Sequence, residues 1–167
     1  MSLVLSVDPG LTGAFAVMTE QGELLALDDL PIMRDGGLGW VDAPTLASKL
    51  FEVKQGQHVR AIVERVHAMP KNGSQAAFSQ GCTFASILAT LQIVGASIEF
   101  VPPQTWKKFC GLIDSTKTDG ERKRASLDKA RLLWPGASLD RVKDHGRAEA
   151  LLIAHWYINT KLARAAA

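Results

Sequence analysis

The sequence predicts an α/β fold, a five-stranded mixed sheet flanked by helices. Two observations carry it. The first third of the chain alternates apolar runs with turn residues at short intervals, as an antiparallel meander does. The remainder alternates helix-length with strand-length apolar segments, which indicates helices on the faces of a sheet. Leu3 to Asp8 is apolar and rich in strand formers, and Pro9-Gly10 stops it; Gly13 to Met18 is a second strand. Gln21-Gly22 turns it into a third, Glu23 to Leu30, which Pro31 ends. A polar, glycine-containing loop is expected from there through Gly39.

A helix opens at Asp42 or Ala43, with Pro44 in its first turn, and runs to about Lys54. Val59 to Val66 has an unbroken apolar centre, the mark of an interior strand. Ser74 to Val94 is a long helix whose apolar stripe is read as Phe78, Phe84, Ile87, Leu88 and Leu91. Ser97 to Val101 is the fifth strand. Pro102-Pro103 starts a short helix carrying Trp106, Lys107 and Lys108. Glu121 to Trp134 is a basic helix stopped by Pro135-Gly136, and a last helix runs from about Asp144 to Ala163. The ribonuclease H-like architecture is one fold with this order, though order alone fits other α/β folds too.

Length and composition bound the rest. At 167 residues and 47% hydrophobic, the chain suits one domain, 1–167, with a full core. No apolar run approaches the roughly 18 residues of a membrane span, and the N-terminus lacks the pattern of a signal peptide. Cys82 and Cys110 stand far apart and in no metal spacing, so they read as reduced thiols. Together these place the protein in the cytoplasm of a bacterium, or of the bacterial host of a phage. Net charge is −4 over residues 1–103 and +6 over residues 104–167, a basic C-terminal bias that fits a polyanionic partner or, equally, solvated helix faces.

Three acidic positions stand out. Asp8 closes an apolar strand at a sharp turn, where the plain reading is a turn-forming aspartate. Glu64 closes the buried run Ala61-Ile62-Val63, where a carboxylate is costly without a partner. If those strands are neighbours, both carboxylates face one sheet end and repel unless a cation lies between them. Oxygen ligands of this kind suit Mg²⁺. The third group is Lys143-Asp144-His145-Gly146-Arg147-Ala148-Glu149-Ala150, in which His145 and Glu149 share one helix face and Asp144 is either an N-cap or a ligand.

Four segments occur in order: Val7-Asp8-Pro9-Gly10 with Thr12-Gly13-Ala14; Val63-Glu64 with His67-Ala68-Met69-Pro70; Pro102-x-x-Thr105-Trp106-Lys107-Lys108; and Lys143 to Ala150. Together they resemble the RuvC family of Holliday-junction resolvases, nearest to its phage-type and plant-organelle branch. The resemblance implies a ribonuclease H-like fold, a homodimer, and two-metal hydrolysis of DNA at four-way junctions with Mg²⁺, for which Mn²⁺ substitutes. It implies no small-molecule cofactor and no membrane. Asp8, Glu64 and Glu149 match the family's carboxylates. Asp8 would bridge two ions roughly 4 Å apart, with Glu64 on one and Glu149 on the other. Many members carry a second carboxylate three residues before the last one. That position is Gly146 here, so Asp144 or His145 would have to replace the missing group. Lys107 or Lys108 matches the family's active-site lysine.

Lys117, Arg122, Lys123 and Arg124, with Lys129 and Arg131 beyond them, are expected to follow phosphates, joined by Lys108, His67 and Lys71. His67, Met69 and Phe78 lie where members wedge a residue into the junction, although Phe78 at helical spacing reads as core. The long helix Ser74–Val94 is the expected dimer interface. The rivals are a ribonuclease H-like nuclease for hybrids or flaps, a non-catalytic junction-binding module, and a sugar-kinase-like ATPase. The last needs two lobes that 167 residues do not supply.

Overall fold

A computed structural model describes residues 2–67 and 73–165; Met69 and Lys71 lie outside them. Strands β1 (Ser2–Asp8), β2 (Ala14–Thr19) and β3 (Leu24–Asp29) form the expected antiparallel meander. β4 (Ile32–Asp35) and β5 (Leu38–Val41) follow as a separate hairpin, then α1 (Ala43–Lys54), β6 (His58–Glu64), α2 (Ser74–Ile93), β7 (Ser97–Val101) and α3 (Pro103–Phe109). α4 (Asp119–Leu133) and α5 (His145–Tyr157) complete the fold, and α5 continues into a π-helical turn at Ile158–Leu162. The sheet runs β3-β2-β1-β6-β7, with β6 and β7 parallel to β1. The predicted five-stranded mixed sheet is therefore present.

Strand alternation sorts the side chains onto two faces. Leu3, Leu5, Val7, Ala61 and Val63 point to one, packing on Leu46 and Leu50 of α1 and Ile87 and Leu91 of α2. Val4 and Ile62 point to the other, where they meet Trp106 of α3, Leu127 of α4 and the almost wholly buried α5. Ser6, buried on this second face, donates its hydroxyl to the Ala150 carbonyl at 2.6 Å and so fixes the height of α5 on β1. The same parity sends Asp8 and Glu64 to the α5 side. Val7 pairs with Val63 in the parallel ladder, so these two acidic residues end adjacent strands at the same sheet edge.

Three expectations are corrected. The stretch up to Gly39 is not a loop: Gly36 and Gly37, at φ 51° and 86°, form the two-residue turn that a tight hairpin needs. The basic helix begins two residues earlier than expected, because Thr118 caps it in a reciprocal capping box with Glu121. The buried residues of α2 are Ser79, Thr83, Ile87, Thr90 and Leu91, while Phe78 is 63% exposed. The small side chains lie inward because α2 closes down on β5, where the Ser79 hydroxyl accepts from the Gly39 amide.

Candidate active site

At the shared end of β1 and β6, one carboxylate oxygen each from Asp8, Glu64 and Glu149 lies within 4.8 Å of the others. Glu149 arrives from α5, one turn into a helix whose register Ser6 sets. Burial, then the charges of Glu149 and Glu64, holds the Asp8 carboxyl well above the ordinary carboxylate range. Burial and the Glu149 charge push Glu64 up to about 7, against the opposing pull of Trp106 and Lys107. Three clustered carboxylates, of which Asp8 and Glu64 resist ionising, have the chemistry of a divalent-cation site.

Neutral donors and one cation surround the cluster. The Trp106 indole donates to Glu64 Oε2 at 2.7 Å, and the Ser126 hydroxyl reaches Glu149 Oε1 at 3.1 Å. Lys107 Nζ stands 3.4 Å from the same Glu149 oxygen, whereas Lys108 faces solvent. Of the two candidate lysines, Lys107 is therefore the one at the cluster. Trp106 and Ser126 were not singled out from sequence; the one sign was a tryptophan beside lysines in a short helix.

Asp144, expected with His145 as the alternative for the fourth ligand, is paired with Arg141. Its side chain is 1% exposed and committed elsewhere, accepting from the Arg141 amide at 2.8 Å and from Arg141 Nε at 2.6 Å. Arg141 continues to Asp29 at 2.8 Å, and Arg147 joins the same carboxylate at 2.7 Å, so the approach to α5 is tied to β3. Asp144→Ala is expected to cost about 2–3 kcal/mol of stability by orphaning these donors, while Mn²⁺ affinity stays at the wild-type level. An affinity loss matching that of Asp8→Asn would return Asp144 to the ligand set. His145 remains on the rim, half-buried, its pKa lowered by burial and by Lys123 despite the nearby Glu149.

Gly146, three residues before Glu149, leaves no room for a side chain. A Cβ there would stand 2.5 Å from the Thr12 carbonyl oxygen and 3.2 Å from Asp8 Oδ2. Beside His145 opens a cleft of about 780 Å³ between α4 and the segment before α5, lined by Lys123, Arg124, Leu127, Arg131 and Lys143. Lys123 is close enough for its charge to act on Asp8. Lys117 and Arg122 are instead engaged with Asp114 and Asp119, and His67 is exposed. Lys71 lies outside the described residues.

No protein-family model matches the chain. A curated relative, the chloroplastic Holliday junction resolvase MOC1 of Chlamydomonas reinhardtii, is 36% identical over 104 residues, which is 61% of this chain but 11% of that protein. Thermus thermophilus RuvC, solved in complex with a Holliday junction substrate, superposes with a TM-score of 0.64 at 15% identity, covering 95% of this chain and 96% of RuvC. The yeast mitochondrial Holliday junction resolvase Ydc2 superposes at 0.50 with 16% identity, covering 94% of this chain and 78% of Ydc2. These findings correct the bacterial-cytoplasm assignment. The curated relative is a chloroplast protein, and unpaired cysteines do not distinguish one reducing compartment from another. The chain is thus similar to RuvC in fold along nearly its whole length, with the ribonuclease H-like architecture, and similar in sequence over three fifths of its length to the chloroplastic resolvase.

Proposed function

We propose that the chain is a structure-selective endodeoxyribonuclease that resolves four-way DNA junctions by Mg²⁺-dependent hydrolysis, as a single nuclease domain acting in a homodimer. The convergence of Asp8, Glu64 and Glu149 at the end of two parallel strands carries this reading. A surface that only gripped DNA would gain nothing from clustered negative charge facing phosphate.

Asp8, Glu64 and Glu149 would hold the Mg²⁺ ions between them, with His145 on the rim as the further donor, since Asp144 is paired with Arg141. Bound Mg²⁺ supplies a nucleophilic water at neutral pH and offsets charge on the leaving oxygen. Lys107 steers the scissile phosphate toward the cluster and balances charge beside Glu149. Lys123, Arg124 and Lys143, along the basic cleft, hold the flanking backbone. The apolar residues that α2 leaves outside, Phe78 and Ile93, are the surface for the second copy.

Synthetic four-way junctions incubated with Mg²⁺ test the reading. Wild type is expected to give paired symmetric nicks, with linear duplex and RNA–DNA hybrid cut far less, and Glu64→Gln to bind the junction normally but cut it about 10³-fold more slowly. Tight junction binding with no Mg²⁺-dependent product would replace the nuclease by a binding module. Preference for hybrid would redirect it to another ribonuclease H-like enzyme.

A further inference from the structure

Trp106 is 0% exposed, the largest fully buried side chain at this end of the sheet. A phenylalanine or leucine would fill much of the same space between α3, α5 and β6. Neither would place a polar edge on Glu64. The indole N–H can only donate, and a buried one needs an acceptor; here that acceptor is Glu64 Oε2, at 2.7 Å. The ring face is used as well: Lys107 Nζ lies 4.9 Å from the Trp106 centroid while it reaches Glu149 Oε1 at 3.4 Å. One side chain thus touches two members of the site by two different interactions.

We propose that Trp106 is a positioning residue of the metal centre: its indole edge occupies one oxygen of Glu64 and presents the other to the cation, and its face holds Lys107 beside Glu149. This rests on the cation-binding reading of the cluster. The choice of a neutral donor matters. An arginine or lysine in this place would cancel the carboxylate charge that attracts the cation, whereas an indole orients Glu64 and leaves its charge intact.

Trp106→Phe keeps an aromatic ring and removes the N–H, at the cost of some unfilled volume in the core. Mn²⁺ affinity, read from the free-ion EPR signal of the full-length protein, is expected to fall about 10- to 100-fold, the range for lost hydrogen-bond partners of metal ligands. Junction cleavage should lose kcat by a similar factor, with KM changed by no more than about 2-fold, since the N–H touches no DNA. Leu46→Ala, which loosens the core on the opposite sheet face, should lower the melting temperature without moving Mn²⁺ affinity, separating positioning from general stability. Should the Phe variant fail to fold, a benzothienyl analogue at position 106, sulfur in place of N–H in the same outline, carries the same expectation. Mn²⁺ affinity and kcat both within about 2-fold of wild type in a folded variant would overturn the role of Trp106 and leave the metal centre standing. A wild type that binds no Mn²⁺ would overturn both.

Discussion

Asp8→Asn is expected to make the metal-free protein more stable while it abolishes Mg²⁺-dependent cleavage. Asp8 is held well above its ordinary pKa, first by burial and then by Glu149 and Glu64; burial and the Glu149 charge raise Glu64 from 4.5 to about 7. Carboxylates with raised folded-state pKa values contribute stability that is fully present below their unfolded pKa and lost as pH rises through the folded value. For Glu64 that window runs from about pH 4.5 to about 7, and the loss is on the order of 3 kcal/mol. The metal-free wild type should therefore weaken across this range.

An asparagine at position 8 cannot ionise and supplies an amide donor to its acidic neighbours, so the charge repulsion of the cluster is reduced. The gain should appear as a higher melting temperature of the variant at pH 8, where Glu64 is ionised, and be much smaller at pH 5. Mg²⁺ should raise the melting temperature of wild type and leave the variant almost unmoved. Thermal denaturation in EDTA and in Mg²⁺ at the two pH values checks this, alongside cleavage expected to fall about 10³-fold or more. An Asn variant less stable than wild type in EDTA at pH 8 would mean that the three carboxylates are not a strained cation site.

Parts of this arrangement were legible in the sequence because they depend on short periods. Strand alternation alone puts Asp8 with Val4 and Ser6, and Glu64 with Ile62, so once β1 and β6 are neighbours the two carboxylates must share a face. Glu149 was legible from its helix, next to an apolar run that had to be buried. The pairing of Asp144 is illegible for the opposite reason. Whether a side chain at a helix start turns toward the sheet end or away from it depends on a partner distant in sequence. Here Arg141 is held by Asp29, 112 residues back along the chain.

α2 shows a related limit. Of the apolar stripe that periodicity predicts, Ile87 and Leu91 are buried, yet close approach to β5 selects Ser79 and Thr83 for the inside and leaves Phe78 out. Periodicity finds an apolar face but does not say whether this chain or another one covers it. The hairpin at 32–41 was missed although Gly36-Gly37 is a strong turn signal, because two four-residue strands offer too short a pattern to outweigh a polar run.

Gly146 is the point where resemblance and structure give opposite advice, and substitution there should have the second large effect. The RuvC resemblance suggests that Gly146→Asp would restore a missing metal ligand. The geometry says it would damage the site. A Cβ at 146 would lie 2.5 Å from the Thr12 carbonyl oxygen, inside contact distance with backbone rather than with a movable side-chain end. The β1–β2 turn cannot retreat: Gly13 N donates to Gly10 O at 3.0 Å, and Gly13 is so tightly placed that its own Cβ would stand 2.1 Å from Asp8 O. Helix α5 must move instead, against the Ser6–Ala150 hydrogen bond and the buried Ala148, Ala150 and Leu151. Gly146→Ala should then cost about 2–4 kcal/mol, a fall of roughly 5–15 °C in melting temperature. At an unconstrained helical position the same change would gain up to about 1 kcal/mol, so the sign alone discriminates. Gly146→Asp should cost at least as much, since it adds a carboxylate whose Cβ alone would stand 3.2 Å from Asp8 Oδ2, and should weaken Mn²⁺ binding without increasing the number of ions bound. A stabilised Gly146→Ala, or a Gly146→Asp that takes up an additional Mn²⁺, would show that α5 does not approach the β1–β2 turn as closely as the packing here requires.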